Sequence, residues 1–196
     1  MTTLTRSGAE PGHAAPKRDP LDWNLVVTAQ EGAQRELVRE LAPLVRLRRT
    51  PFRNVRIGKV EDVPEFLAAL MEQRERQPFL DNYLARVLPV ERTFRVDPAH
   101  FPEDLQREMT TLLDRVAGHS FHVRVERRGH KGAIHTHQTE QALGEWLFDT
   151  LAGRGKEPVV EFRDPALVVA VELVGEVGGI GLVSRELRER FPFVRL

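Results

Sequence analysis

Residues 166–174, Ala-Leu-Val-Val-Ala-Val-Glu-Leu-Val, form a nearly unbroken apolar run. A strand of that composition is buried on both faces and belongs at the centre of its sheet. The segments around it alternate between strand and helix patterns. Phe121-His122-Val123-Arg124-Val125-Glu126 alternates strictly, apolar to one side and polar or charged to the other, as a half-buried strand does. Leu105, Met109, Leu112, Leu113 and Val116 make one helical face, opened by Pro102 and ended by Gly118. Leu143, Trp146, Leu147, Thr150 and Leu151 make another, ended by Gly153. Residues 157–162 read as a further strand, joined to the apolar run by the turn Arg163-Asp164-Pro165. The fold class this implies is α/β (α+β), with one α/β unit beginning near residue 90.

A smaller unit precedes it. Leu25-Val26-Val27-Thr28 reads as a buried strand, followed by a helix carrying Ala33, Leu37, Val38 and Leu41 and stopping near Pro43. Residues 46–60 suggest a hairpin bent at Thr50-Pro51. Asp62-Val63-Pro64-Glu65 has a capping acid, a proline in the first turn and a glutamate three residues after the cap, which starts a helix striped by Val63, Phe66, Leu67, Leu70 and Met71. A strand over 82–88 closes the unit before Pro89. The order β-α-β-β-α-β is that of a ferredoxin-like unit. Residues 1–20, with Gly8, Pro11, Gly12, Pro16 and Pro20, read as a disordered tail. The expected organisation is therefore a tail (1–20), an N-terminal ferredoxin-like domain (21–89) and a second α/β domain (90–196).

Composition narrows the function. The chain of 196 residues is 41% hydrophobic and 30% charged, which suits a globular protein rather than a disordered one. It has no cysteine, so disulfides, thiolate zinc sites, iron–sulfur clusters and cysteine nucleophiles are excluded. With no apolar signal core at the N-terminus, a cytoplasmic location is expected. Formal net charge is zero, yet Arg46, Arg48, Arg49, Arg53, Arg56 and Lys59 fall in one stretch without an acid. Acids gather in helix-like segments instead, so one face can still be strongly positive.

The sharpest candidate site follows the alternating strand: Arg127-Arg128-Gly129-His130-Lys131, with His135 nearby. Guanidinium groups match phosphate oxygens bidentately, and glycines let backbone approach a sugar–phosphate chain. Arg124, on the same strand, and Arg92 and Arg95 extend the candidate surface, as do Arg48, Arg49, Arg53 and Arg56 in the basic stretch. Glu172, the one acid in the central strand, could pair with a neighbouring arginine or face RNA directly.

The run Phe-x-Val-x-Val-x-Arg-Arg-Gly-His-Lys, the helix with Gln141-Ala142-Leu143-Gly144, and Asp164-Pro165 before the apolar strand ending Val171-Glu172 resemble the THUMP domain over roughly residues 90–185. Residues 88–94, Leu-Pro-Val-Glu-Arg-Thr-Phe, resemble the junction between that family's N-terminal ferredoxin-like domain and THUMP itself. Without a catalytic domain, the chain looks most like the stand-alone THUMP adaptors of tRNA cytidine acetylation. The resemblance implies tRNA binding near the acceptor 3′ end, with Arg127, Arg128 and Lys131 on phosphates, and a separate modifying enzyme as partner, such as an acetyltransferase. It implies no cofactor and no catalysis by the chain itself.

Other features carry less. Gly175-Glu176-Val177-Gly178-Gly179-Ile180-Gly181 lacks the spacing of a dinucleotide loop and reads as a hairpin or a strand-ending turn. His130, His135 and His137 lack a carboxylate at ligand spacing, so no metal site is expected. Few exposed aromatics are available for base stacking, His122, His130 and Phe52 being the candidates, so recognition by backbone and shape is expected. Two alternative readings remain open: an RNA-modifying enzyme using the histidine-rich loop, and a protein-interaction module whose basic face docks an acidic partner.

Overall fold

The structure is a computed structural model that describes residues 19–196. The tail expected over 1–20 falls almost wholly outside the described residues. The first sheet contains β1 (Leu25–Ala29), β2 (Arg48–Arg49), β3 (Val55–Gly58) and β4 (Leu84–Pro89), in the order β2-β3-β1-β4 and antiparallel throughout. Helices α1 (Gln34–Leu41) and α2 (Val63–Arg76) connect them in the ferredoxin-like order. Asp62 caps α2 by accepting from the Glu65 N–H at 2.8 Å, and Pro64 occupies the first turn.

The second sheet is built from β5 (Arg92–Arg95), β6 (Ser120–Arg128), β7 (Val159–Val160), β8 (Leu167–Val174) and β9 (Val177–Ser184). Its order is β5-β9-β8-β6-β7. Strand β6 runs parallel to both neighbours, while β8–β9 and β9–β5 are antiparallel. Helices α3 (Phe101–Thr110), α4 (Leu113–Val116) and α5 (Thr136–Gly153) complete this part, and α6 (Arg185–Arg190) follows β9. The apolar run 166–174 is the middle strand, as expected. Leu167, Val169, Val171 and Leu173 pack toward α3, α4 and α5. Val168, Ala170 and Val174 pack toward the first sheet and the C-terminal Phe191, Phe193 and Val194. A strand with apolar partners on both sides needs apolar residues at every position, and Glu172 is the exception that requires an explanation.

Two expectations differ in detail, and a third is narrowed to one of its two readings. The helix expected over 102–116 breaks at 111–112, because the Thr110 and Thr111 hydroxyls each donate back at 2.8 Å, to the carbonyls of Gln106 and Glu108, and tighten the last turn. The strand over 157–162 pairs only at Val159 and Val160. The glycine-rich run is a β8–β9 hairpin with Gly175 at φ 64° in its turn.

Those glycines let the sheets close together. A Cβ on Gly181 would lie 2.1 Å from the Pro89 carbonyl oxygen, where β4 crosses β9. Gly153, with nothing within 4 Å of an added Cβ, is the matched control. Equilibrium urea denaturation is expected to show Gly181→Ala destabilised by at least about 1–3 kcal/mol, the usual cost of overpacking. Gly153→Ala is expected to be neutral or slightly stabilising, and equal midpoints would contradict this packing.

Candidate nucleic-acid interface

Alternation along β6 decides what its basic residues can do. Arg127 stands opposite Leu173 and shares the helix-covered face, whereas Arg128 stands opposite Val174 and faces the first sheet. The two adjacent arginines therefore project to opposite sides of the sheet. Arg124 shares its side with Arg128 and not with Arg127, and it lies 3.8 Å from Glu140.

Glu172 accounts for Arg128. Its carboxylate is 1% exposed, and it accepts from Arg128 Nη1 and from Arg86 Nη2 of β4 at 2.5 Å. Burial pushes the Glu172 carboxyl above the ordinary glutamate range, while the Arg86 and Arg128 guanidinium groups pull it back down. Arg128 also lies 3.6 Å from Glu126. Of the two readings left open for Glu172, the structure shows the ion-pair partner. Arg128, expected on a phosphate, is held instead inside this inter-sheet cluster.

Beyond Arg128 the chain turns sharply through Gly129 at φ 105°, His130 at φ 50° and Gly132 at φ 87°. His130 is the one non-glycine residue with positive φ among those described. Its Nε2 donates to the Gly175 carbonyl at 2.9 Å, and Gly175 N–H donates to the Arg128 carbonyl at 2.8 Å. The Phe52 ring closes the same junction from the β2–β3 loop, 3.6 Å from a Cβ built on Gly129. Phe52 is half-buried there. Val96 N–H donates to the Glu176 carbonyl at 2.9 Å, which ties the end of β5 to the same hairpin. Four segments from both sheets thus meet at one corner.

Ion pairing sorts the candidate cations. Of the candidate cations, Arg48, Arg49, Arg53, Arg56, Arg95, Arg127 and Lys131 have no carboxylate within 4.0 Å among the described residues. Arg53 flanks Phe52, and Arg127 and Lys131 flank the Gly129 turn. Arg127 Nη1 donates to the Gly129 carbonyl at 2.6 Å, and its buried Nε has no partner. Arg49 and Arg56 stand directly opposite each other on β2 and β3. Burial, and then Arg49, holds Arg56 below the ordinary arginine range. Like charges in direct cross-strand register cost roughly 0.2–1 kcal/mol, a cost that a bound anion relieves. Arg95 lies in the same cross-strand row as Arg128, three strands and so about 14 Å away.

The remaining candidates sit elsewhere. Arg48 donates to the carbonyls of Asp19 and Asp22, at the end of its hairpin away from the loop. Arg92 turns to the helix side and pairs with Glu108 at 3.0 Å. A single basic track along residues 46–59 is therefore not formed: Arg48 stands apart, and Arg49 and Arg56 lie on the sheet face opposite Arg86. His135 stands exposed just ahead of α5. His122 packs edge-on to Phe162, ring centroids 5.2 Å apart, and burial lowers its pKa. Among the described residues no group of three or more metal-capable side chains is assembled. No helix among them is long and apolar enough to cross a membrane.

No family model matches the chain, and no curated protein does. Solved structures share its fold. TrmN from Thermus thermophilus superposes with a TM-score of 0.57 at 22% identity, covering 81% of this chain and 44% of that one. PH1313 from Pyrococcus horikoshii Ot3 gives 0.54 at 11% identity, with 81% and 53% covered. A 4-thiouridine synthetase, solved in complex with RNA and ATP, gives 0.51 at 14% identity, with 82% and 41% covered. The chain thus spans about half or less of each.

Removing the buried carboxylate tests how the corner is held. Glu172→Gln leaves Arg86 without a counter-charge and Arg128 with only the half-exposed Glu126 at 3.6 Å, and its unfolding free energy is expected to fall by about 3–5 kcal/mol. A loss below about 1 kcal/mol in urea titration would show that the carboxylate does not compensate these arginines.

Proposed function

We propose that this chain is a THUMP-type tRNA-binding protein, and that its cationic corner holds the phosphates near a tRNA acceptor end. One observation carries the reading: the loop bearing Arg53 and the turn bearing Arg127 and Lys131, cations with no carboxylate partner, meet where Phe52 packs on Gly129 and Gly175. Arg53 adjoins Phe52 in the β2–β3 loop, Lys131 follows the Gly129 turn, Arg127 supports that turn through the Gly129 carbonyl, and Arg49 and Arg56 form a like-charged cross-strand pair at the base of the same hairpin. The fold shared with a synthetase solved in an RNA complex supports the same ligand class. Recognition here works through backbone charge and shape, since Phe52 and His122 are packed against protein.

The role proposed is presentation of tRNA to a separate modifying enzyme, such as a cytidine acetyltransferase, rather than catalysis. In support, His130 Nε2 is committed to the Gly175 carbonyl, which ties the ring into the turn and leaves only Nδ1 for proton transfer.

Binding of a tRNA transcript is expected to weaken steeply with salt, by about 0.9 in log–log slope for each phosphate contact. In the triple variant Arg49→Ala/Arg53→Ala/Lys131→Ala the slope is expected to fall by about 2–3, with affinity down at least about tenfold. Arg76→Ala, which removes an exposed cation paired with Glu72, leaves both unchanged. Wild-type affinity in the triple variant would remove the proposed interface. Nucleoside mass spectrometry of tRNA incubated with the chain and an acetyl donor is expected to show nothing new, and turnover by the chain alone would replace the presenting role with an enzymatic one.

A further inference from the structure

At the other end of β6 lies a groove of about 510 Å³ between the sheet edge and α5, lined by His122, Val123, Gly144, Phe148, Val160 and Phe162 among others. Its apolar walls are uncovered: Phe162 is 74% exposed, Phe148 42% and Val160 38%, with Val159 beside them at 53%. Contiguous exposed aromatic and branched side chains of this kind mark interaction surfaces.

Two local features keep the groove open. Strand pairing ends with Phe121 opposite Val160, the Glu161 N–H donating to the Phe121 carbonyl at 3.0 Å. Four residues further along, the Val125 N–H is taken by the Glu140 carboxylate at 2.8 Å. Between these two points the edge of β6 has no strand beside it. On the helix side, Gly144 contributes no side chain, and a Cβ there would touch only Val123 Cγ2 at 4.0 Å.

The rim has the opposite sign to the corner. Glu145 and Asp149 project from α5 along the groove beside Glu140, which Arg124 approaches at 3.8 Å, and Glu161 stands next to Phe162. An acidic rim repels a phosphate backbone and attracts lysine and arginine. We propose that this groove docks an extended segment of a partner protein in which a large apolar side chain is flanked by basic residues. The inference rests on the presenting role above only for identifying that partner as the modifying enzyme. From Phe121 to Arg128 the strand spans about 23 Å, so protein and RNA occupy opposite ends of β6 and can be bound together.

The test is a titration of isotope-labelled full-length chain with a short synthetic peptide of alternating lysine and valine around a central phenylalanine, followed by NMR. Shifts are expected at the amides of Val123, Gly144, Phe148 and Val160. The same peptide with glutamate in place of lysine should not bind. Gly144→Leu, which fills the groove from a helix position with room for a side chain, is expected to weaken the peptide about tenfold. Glu145→Lys/Asp149→Lys is expected to do the same without repacking anything. Both variants should bind tRNA within about twofold of wild type, because the corner lies beyond the screening length of about 8–10 Å. Absence of shifts in the groove, equal binding by Gly144→Leu, or tighter occupation by a peptide of residues 1–18 or by a second copy of the chain would overturn the proposal. Loss of tRNA binding with peptide binding intact would instead sink the functional reading alone.

Discussion

The carboxylate of Glu172 sits in the strand that every other part of the second sheet leans on, with Arg128 from the neighbouring strand and Arg86 from the first sheet closing on it. Burying a charge costs several kcal/mol unless partners surround it, so this acid tolerates one arrangement of the two sheets and few others. Shifting β8 against β6 by one residue would turn Glu172 into the apolar layer beneath α5 and take from both arginines the carboxylate they share. The cluster therefore contributes more to specificity than to net stability. It places the β2–β3 loop against the Gly129 turn, and the basic corner exists only because those two loops meet.

Charge distribution follows the same geometry. The chain is neutral in sum, yet its cations divide into those with carboxylate partners and those without. Surface pairs such as Arg92–Glu108 and Arg74–Asp81 contribute little to stability, about 0–1 kcal/mol each, but they remove those arginines from the field an anion would meet. Among the cations without a carboxylate partner, Arg127 and Lys131 lie at the end of β6 and Arg53 on the loop that meets it, while the acids of α5 line the groove at its start. One strand thus carries a cationic end and an anionic-rimmed end, a polarity that suits a molecule bridging a nucleic acid and a protein.

Much of the fold was legible because hydrophobic period reports directly on burial. The run 166–174 read as a central strand, and the Asp62-Val63-Pro64-Glu65 start of α2 is a local signal that tertiary context did not override. Boundaries set by side-chain competition were less visible, as at Thr110-Thr111. At the site, the turn after Arg128 was readable from its glycines, but the roles of the arginines were not. Adjacent residues on a strand face opposite ways, so Arg127-Arg128 could never share one surface. Glu172 offered a signal, since an acid in an otherwise apolar central strand demands a cationic partner. Which arginine from the other sheet would answer was a long-range question, beyond the reach of spacing. The groove left a fainter mark in Phe148, an aromatic on α5 outside the face defined by Leu143, Leu147 and Leu151.

The central claim is that one RNA surface is assembled from both sheets. Hydrogen–deuterium exchange of the full chain with and without a tRNA transcript tests it most directly, because backbone protection reports both loops at once. The account predicts slowed exchange over residues 49–56 and over 128–132 in the same complex, with the 175–176 turn following and α5 unchanged. Protection confined to one of those loops, or centred on the groove between β7 and α5, would contradict it.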